Sequence, residues 1–346
     1  MKTAVLFFLP VLLLASCGEG KLAPTRDDYL SELTFHEGFK IIQMADLHWD
    51  KGTPIEEESA YIKSIVSRED PDLLVFTGDN VLGADQYVAK KLYDTIESTG
   101  VPYAVTYGNH DYQGPYSPDF MDSLVTGGAH SLTKIVDDDI RGATNYAVEL
   151  KNADGSLVWR INLIDSGSLV VESGSYVYDY IRDEQTELYQ KLQNDQTPNL
   201  LFFHIPLYEW AYAYDENEEG LLGEIHEKAT WESRDDNFKG QKESYPFFAG
   251  QTHSSIFEAA KEANCKGMFV GHDHSNDWVS SYEGVTLGYG VKTGRGLYYS
   301  DDPEGGWPRV GYASYVLSGD GSYDLSHVYY QEGSLEENGR ESIHVA

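Results

Sequence analysis

The chain has 346 residues, of which 41% are hydrophobic, so it is long enough to form one large domain or two small ones around a substantial core. Its 57 acidic residues outnumber 25 basic residues, and the formal net charge is −32 at pH 7. This charge excludes nonspecific binding to nucleic acid, and it disfavours anionic substrates unless a bound cation reverses the field locally.

The first residues have the pattern of an export signal. Lys2 precedes an apolar run over 4–14, which is well short of the roughly 20 residues that a membrane-spanning helix needs. The following "LASC", 14–17, resembles a bacterial lipobox, in which Cys17 becomes the acylated first residue of the mature chain. This predicts a lipoprotein signal peptide over 1–16 and an exported protein of the bacterial cell envelope, anchored in the membrane through lipid on Cys17. An ordinary secretory signal with a chance cysteine is the alternative.

Predicted strands and helices alternate along the rest of the chain. After a tether over 17–34, a folded domain is predicted over 35–346, and it begins with a hairpin of "LTF" and "FKIIQMA" that turns at Glu37-Gly38. Helical patterns follow at 55–70, 84–100, 183–195 and 254–264. Apolar strands are predicted in "PDLLVFTGDN", "VPYAVTYGNHD", "TNYAVEL", "VWRINLIDS", "NLLFFHIP" and "CKGMFVGHD", and the last third is rich in β structure. This alternation indicates an α/β fold, in which ligands bind beyond the carboxyl ends of the strands.

Candidate metal ligands follow five of these strands. They are Asp46 and His48, then Asp79, then Asn109 with His110 and Asp111, then His204, and finally His272 and His274. Each group alone has a structural explanation, such as a turn or a half-buried histidine. Their joint occurrence, each directly after a strand, indicates a metal centre at the carboxyl edge of a sheet.

In this order the motifs resemble those of the calcineurin-like metallophosphoesterase superfamily, and within it the branch related to purple acid phosphatases. The matching segments are "DLH" at 46–48, "GD" at 78–79, "GNHD" at 108–111, His204 and "GHDH" at 271–274. The resemblance extends over about residues 35–330. It implies a four-layer α/β-β/α sandwich, in which helices flank two mixed sheets, with two metal ions at the sheet edge.

The resemblance also implies which residues bind each ion. Metal one would be bound by Asp46, His48, Asp79 and His274, and metal two by Asp79, Asn109, His204 and His272. Carboxylate and imidazole ligands suit Mn, Fe or Zn, as two divalent ions or a mixed-valence pair. Purple acid phosphatases owe their colour to a tyrosine whose position is occupied here by Leu82, so no coloured ferric site is expected.

Two residues of the third motif have implied catalytic roles. His110 is not a ligand in the family pattern; it would face the leaving group and stabilise its charge or donate a proton to it. Asp111 would orient and charge the His110 ring, or else serve as a turn residue. Asn276 and Asp277 are expected to shape their loop, and 178–185 is expected to contribute packing.

These residues together imply a phosphohydrolase in which a hydroxide that bridges the metal ions attacks a phosphate ester. Phosphomonoesterase action on a small phosphate ester or a phosphopeptide is the first expectation, and phosphodiesterase or nucleotidase action is the alternative. A non-catalytic scaffold lipoprotein of the same fold is a third hypothesis. It predicts lost ligands or a lost His110, and the sequence has neither loss. No nucleic acid is expected as a partner.

The segment 207–250 is too long and too polar for a plain connection. It is predicted to be an insertion over the active site, with a solvated excursion as the alternative. Its aromatic residues Tyr208, Trp210, Tyr212 and Tyr214 would stack on a substrate ring or belong to the core. Cys265 precedes an apolar strand and is predicted to be a small buried residue.

Overall fold

The structure is a computed structural model that describes residues 23–83, 85–136, 139–172, 174–214, 249–250, 252–296, 310–330 and 336–346. Its α-helices are α1 (Ile55–Glu69), α2 (Gln86–Glu97), α3 (Pro118–Thr126), α4 (Asp183–Leu192), α5 (Tyr208–Tyr214) and α6 (Ile256–Glu262). Its strands are β1 (Leu30–Thr34), β2 (Phe39–Met44), β3 (Leu73–Thr77), β4 (Tyr103–Thr106), β5 (Tyr146–Lys151), β6 (Leu157–Leu163), β7 (Leu169–Glu172), β8 (Ser175–Tyr178), β9 (Asn199–Phe202), β10 (Cys265–Val270), β11 (Val279–Tyr282), β12 (Val285–Tyr289), β13 (Gly311–Leu317), β14 (Tyr323–Tyr330) and β15 (Glu337–Val345).

The strands form two large mixed sheets. One has seven strands in the order β1-β5-β6-β9-β10-β12-β11, and the other has six in the order β15-β14-β13-β2-β3-β4. β7 and β8 pair separately as a small hairpin. The two large sheets share one apolar core, and helices cover their outer faces. This confirms the predicted sandwich of two mixed sheets flanked by helices.

Burial on both faces explains why central strands such as β3 are almost entirely apolar. In β3, Leu73 and Val75 face the seven-stranded sheet, whereas Leu74 and Phe76 pack against α1 and α2. In the seven-stranded sheet, Leu201 of β9 packs in the same way against α5 and α6. Parallel strands covered on both sides lack polar alternation for this reason. Each such side chain contributes about 1.5–3 kcal/mol when it is fully buried.

The four helices predicted from the sequence are present, and each lies within its predicted range. α2 begins where the Asp85 carboxylate accepts a hydrogen bond from Val88 N at 3.1 Å. α1 ends at Asp70, which has a left-handed φ of 48°. Local capping signals of this kind can be read from the sequence, because both partners lie within one turn of the helix end.

The predicted N-terminal hairpin is wrong. β1 pairs in parallel with β5 of the seven-stranded sheet, whereas β2 pairs with β3 and β13 of the other sheet. The turn at Gly38 exists, with φ of 78°, but it carries the chain from one sheet to the other. The residues Arg26–Tyr29 form a 3-10 helix before β1, so residues 26–34 belong to the fold rather than to a tether. A turn signal specifies a change of direction, and it does not specify which strand becomes the partner.

The beginning of the predicted insertion belongs to the core. Trp210 and Ala213 of α5 are buried in the cluster that also contains β12 and α6, so the core alternative holds for Trp210. The side chain of Tyr214 and residues 215–248, which include most of the predicted insertion, lie outside the described residues, as do the predicted signal peptide and Cys17. Cys265 is buried as predicted, and burial raises the pKa of its thiol to about 12. None of the helices in the described ranges has the length and apolar character that crossing a membrane requires.

The carboxyl ends of five strands meet at one edge between the two sheets. β2, β3 and β4 run parallel in the six-stranded sheet, and β9 and β10 run parallel in the other. Gln43 of β2 connects the sheets near this edge, because its Nε2 donates to Thr77 Oγ1 at 2.9 Å and to the Val270 carbonyl oxygen at 3.2 Å. The loops that follow these five strands therefore converge.

Candidate metal centre

Two overlapping groups of carboxylates and imidazoles occupy this edge. Within each group, one ligand-type atom per residue lies within 4.8 Å of every other. The first group is Asp46, His48, Asp79 and His274, and the second is Asp79, His204 and His272. Asn109 adjoins the second group, with its Oδ1 3.2 Å from His204 Nε2. The structure thus brings together all seven residues predicted to bind metal, and it places Asp79 in both groups.

Four of these residues have a strained backbone. Asp46, His48, Asp79 and His272 have φ values of 52°, 51°, 50° and 79°, and they account for four of the eight non-glycine residues with positive φ in the described ranges. Left-handed conformations are unfavourable for such residues and concentrate at functional sites. Hydrogen bonds between neighbouring loops hold them here, including His48 N to the Asp79 carbonyl oxygen at 2.9 Å.

Two glycines allow the loops after β3 and β4 to approach each other. A Cβ on Gly78 would lie 2.5 Å from Gly108 N and 2.7 Å from His204 Nδ1. A Cβ on Gly108 would lie 2.4 Å from Asp79 N. Any side chain at either position would separate the loops, so the glycines of "GD" and "GNHD" are needed for the approach of the candidate ligands.

A backbone amide holds one oxygen of the shared carboxylate and leaves the other facing imidazoles. Asp79 Oδ1 accepts a hydrogen bond from His110 N at 2.7 Å. Asp79 Oδ2 lies 3.2 Å from His204 Nε2 and 3.6 Å from His48 Nε2. The loop after β4 therefore fixes the rotation of a carboxylate that belongs to the loop after β3.

Hydrogen bonding also orients His204. Its Nδ1 donates to the Thr77 carbonyl oxygen at 2.8 Å, which directs Nε2 into the cluster. There Nε2 faces Asp79 Oδ2, Asn109 Oδ1 and His272 Nδ1, each at 3.2 Å. Oxygen and nitrogen atoms with lone pairs converge on this point, as they do around a cation.

The pKa values of the cluster reflect burial and mutual attraction. Burial lowers the pKa of His48 to about 4 and that of His272 to about 3, so both rings are neutral near pH 7 and keep a lone pair. Burial also opposes the charge on His204, but the Asp79 carboxylate outweighs it and raises the pKa of His204 to about 9. Burial likewise raises the pKa of Asp79, yet attraction to His204 holds it below its ordinary value. A metal ion must therefore displace a proton from His204 to bind there.

Several buried nitrogens of the cluster have no hydrogen-bond partner within the described ranges. Both ring nitrogens of His48 and the Nε2 of His272 are of this kind. A buried polar atom without a partner costs about 1–3 kcal/mol, so a cluster of them indicates that a further group binds. Neutral imidazoles and carboxylates are ligands that Mn, Fe and Zn accept, and these residues therefore fit a pair of such ions.

His110 lies beside the cluster and is more open to solvent than the candidate ligands. Its side chain is 25% exposed, and its Nε2 lies 3.9 Å from Asp79 Oδ2. Its Nδ1 lies 2.7 Å from Gln113 Oε1. Because an amide oxygen only accepts hydrogen bonds, Nδ1 is the donor and Nε2 faces the cluster.

The structure corrects the expectation that Asp111 orients His110. Asp111 Oδ1 accepts hydrogen bonds from Asn80 N at 3.0 Å and Val81 N at 3.1 Å, and Oδ2 accepts from Gly108 N at 2.9 Å. The carboxylate thus joins the loops after β3 and β4, which is the turn role that was the alternative. Burial raises its pKa to about 7. Gln113, rather than Asp111, is the side chain that orients the His110 ring.

Two residues beside the cluster belong to no motif. Gln113 follows His110 by three residues, and this spacing, which is one turn of 3-10 helix, is the only sequence signal for it. Tyr178, in a segment expected to contribute packing alone, places its ring edge-on to His272 with 4.5 Å between the centroids. That contact depends on how the β7–β8 hairpin sits on the sheet, and no local pattern indicates it.

The fold and the site together define a class of protein: a two-sheet α/β sandwich with a candidate dinuclear metal centre at the carboxyl edge of both sheets. Residues 39–276 match the model of the calcineurin-like phosphoesterase family. The match spans more than half of the chain, and the chain belongs to this family. The resemblance inferred from the five motifs is thereby confirmed.

Individual relatives have phosphatase names. The chain is 26% identical over 317 residues to "Probable inactive purple acid phosphatase 14" of Arabidopsis thaliana, with 78% of this chain and 73% of the relative covered. It is 25% identical over 275 residues to "Phosphatase DCR2" of Saccharomyces cerevisiae, with 69% of this chain and 44% of that relative covered. The crystal structure of a dimetal phosphatase from Danio rerio superposes with a TM-score of 0.56 at 14% identity, over 90% of this chain and 99% of that one. This superposition supports the fold.

Proposed function

We propose that this chain is a dinuclear-metal phosphohydrolase that cleaves phosphate monoesters. The observation that supports it is the convergence of seven ligand-type side chains on two adjoining positions that share Asp79, with His110 beside them on the solvent side. Metal ions bound there would polarise a phosphate ester and lower the pKa of a water molecule. Mn, Fe and Zn all suit this ligand set.

The proposed ligands follow the two groups in the structure. The first ion is assigned to Asp46, His48, Asp79 and His274, and the second to Asp79, Asn109, His204 and His272. Two divalent ions add four positive charges to a cluster that contains two carboxylates, so the site attracts phosphate inside a molecule of net charge −32. The acidic surface repels highly charged substrates elsewhere, and this favours small phosphate esters or short phosphopeptides.

His110 is assigned the proton transfer to the leaving oxygen. Its Nε2 faces the cluster, Gln113 fixes its Nδ1, and its partial exposure lets it contact a substrate and recover a proton from solvent. The imidazolium form donates from Nε2 as the ester bond breaks, which neutralises the alkoxide that would otherwise leave. The backbone N–H of the same residue donates to Asp79 Oδ1, which fixes the backbone of His110 beside the shared carboxylate.

A non-catalytic scaffold is the competing hypothesis, because the name of the Arabidopsis thaliana relative includes the word "inactive". That word describes the relative. The present chain has every predicted ligand and His110 in one place. Its strained backbone, and the buried nitrogens of His48 and His272 that have no partner within the described ranges, would lower the stability of a protein that bound no ion there. This supports an active enzyme.

The experiment is a substrate screen with signal-free protein loaded separately with Mn, Zn and Fe. p-Nitrophenyl phosphate, bis-p-nitrophenyl phosphate, nucleotides and phosphopeptides are compared, and the monoesters are expected to have the highest kcat/KM. The variant His110→Ala is expected to lower kcat by about 10²–10⁴-fold with unchanged metal content. His130→Ala is the matched control, because His130 is also partly exposed and paired, through Nδ1 with Glu97 Oε1 at 2.7 Å. Absence of hydrolysis with every metal would refute the proposal, and preference for the diester would refute its monoesterase part.

We also propose that the chain is exported and anchored in the bacterial envelope through lipid on Cys17. The support is the "LASC" sequence after a short apolar run. Expression of the full chain with labelled palmitate is expected to label the wild type and not Cys17→Ser. Equal labelling of both, or none of either, would refute the anchor.

A further inference from the structure

The β7–β8 hairpin presents an apolar face. In its register, Leu169 pairs with Tyr178 and Val171 pairs with Tyr176. Cross-strand partners and residues two apart along a strand share a face, so these four side chains lie on the same side of the hairpin. Val177, on the other side, is only 8% exposed and faces the body of the protein.

Most of this apolar face is open to solvent. Leu169 is 43% exposed, Val171 is 63% exposed and Tyr176 is 79% exposed. They are three of the five large hydrophobic residues that are exposed in the described ranges. Their concentration on one small hairpin of a strongly acidic protein marks a binding surface rather than scattered surface apolarity.

The base of the hairpin contacts residues of the candidate metal centre. The Tyr178 ring meets the His272 ring edge-on, with centroids 4.5 Å apart. Ser168, immediately before β7, donates through Oγ to the Asn109 carbonyl oxygen at 2.9 Å. Asp179 N donates to the Ser168 carbonyl oxygen at 2.7 Å and closes the base. The apolar face therefore begins at Tyr178, beside the candidate ligand His272, and the residue before β7 is hydrogen-bonded to the backbone of the candidate ligand Asn109.

We propose that this face binds the leaving group of the substrate, and that the preferred substrates are phosphate monoesters of apolar alcohols or phenols. The inference rests on the proposed phosphohydrolase function. Residues two apart along a strand are separated by about 7 Å, so the face from Tyr178 to Tyr176 and Val171 has the length of an aromatic ring or a short alkyl chain. An uncharged leaving group is not repelled by the acidic surface, and its burial against this face adds binding energy beside the reacting phosphate.

The test compares two esters that differ only in apolar length, hexyl phosphate and ethyl phosphate, whose leaving alcohols have similar acidity. The wild type is expected to favour hexyl phosphate by about tenfold in kcat/KM. The double variant Val171→Ser with Tyr176→Ser is expected to lose this preference through a larger fall in kcat/KM for hexyl phosphate than for ethyl phosphate, with unchanged metal content. Tyr87→Ser is the matched control and should leave the preference intact. Tyr87 is 64% exposed on α2, a helix that packs against the six-stranded sheet.

A binding measurement separates this inference from the proposed function. Calorimetry with hexylphosphonate and ethylphosphonate on metal-loaded protein should show tighter binding of hexylphosphonate to the wild type alone. Hydrolysis of both esters with equal efficiency and equal phosphonate affinity would overturn the leaving-group site and leave the phosphohydrolase standing. Failure to hydrolyse any ester would overturn the phosphohydrolase. The affinities for the two phosphonates would still show whether the hairpin binds the apolar group. If the double variant keeps the hexyl preference and instead loses binding to phosphatidylglycerol vesicles, the hairpin docks on a membrane and the inference is wrong.

Discussion

Two buried clusters of charged and polar residues lie near opposite ends of strand β9. Near its amino end, the fully buried guanidinium of Arg160 donates to Glu149 Oε1 at 2.9 Å, to Gln193 Oε1 at 2.7 Å and to both oxygens of Asp195 at 3.0 and 2.8 Å. Beyond its carboxyl end, Asp79 Oδ2, Asn109 Oδ1 and His272 Nδ1 converge on Nε2 of His204. Both regions are buried, and both combine carboxylates with nitrogen groups.

The difference lies in how completely the fold itself satisfies the buried polar groups. At the amino end the chain itself supplies the cation, and its hydrogen bonds with the acceptors are satisfied within the fold. At the carboxyl end acceptors converge, buried nitrogens of His48 and His272 have no hydrogen-bond partner among the residues that the structure describes, and the backbone is strained. Burial of charge alone therefore does not identify a functional site. A buried cluster that is incomplete without an added cation does.

The largest expected effect comes from removing the shared carboxylate. Asp79→Asn keeps the shape of the side chain and removes its charge, so both ions should lose affinity and kcat should fall by about 10³-fold or more. Elemental analysis and p-nitrophenyl phosphate kinetics measure the two effects together. Asp94→Asn, on an exposed helical ion pair with Lys90, is the control and should change neither. Full metal content in the Asp79 variant would contradict the assignment of this residue as the shared ligand.

At the other end of β9, Arg160→Met should affect stability and leave metal binding unchanged. Removing the cation takes the charged donor away from Gln193 and Asp195, whereas Glu149 keeps its ion pairs with Arg26 and Lys151. The free energy of unfolding should therefore fall by about 1.5–3 kcal/mol in urea titrations. Lys90→Met, which breaks an exposed pair, should cost less than about 1 kcal/mol. If Arg160→Met instead released the metal ions while stability stayed the same, the two regions would not be distinct in the way described.

A smaller effect is expected from Gln113→Leu, which removes the acceptor that orients His110. One lost hydrogen bond of about 1 kcal/mol should lower kcat roughly five- to tenfold at constant metal content. Gln113→Glu keeps an acceptor and should restore the rate, with a shift of the pH–rate profile to higher pH because a carboxylate favours the imidazolium. A purely structural role would show no such shift.

The smallest expected effect is the pH dependence of the stability that Arg160 contributes. Hydrogen bonds from Arg160 hold the pKa of Asp195 below its ordinary value, and they do the same for Glu149 although burial opposes it. A lowered folded-state pKa stabilises the protein above the unfolded-state value and loses this contribution as pH falls through the folded-state value. The stability difference between wild type and Arg160→Met should therefore shrink below about pH 4, near the ordinary carboxyl pKa values. Urea titrations at pH 7, 5, 4 and 3 with chelator measure it, and a difference that grows on acidification would contradict the pairing.

Local patterns predicted much of this molecule. The four helices were predictable because their caps and apolar periodicity lie within a few residues, as Asp85 and Val88 show. The candidate ligands were predictable because each follows an apolar strand directly, and parallel strands end at a common edge. The prediction of an N-terminal hairpin was wrong because long-range burial determines the partner of a strand, and here it places β1 beside β5.

By itself, the sequence determined the composition of the site: which imidazoles and carboxylates follow which strands, and in what order. Only the tertiary structure decided the geometry of these side chains and which neighbouring residues contact them. It turned Asp111 toward backbone amides, set Gln113 against His110 and brought Tyr178 to His272. The physical reason is that residue type and order are local properties of a chain, whereas the direction of a side chain depends on groups that are distant in sequence and that meet only when both sheets have closed around one core.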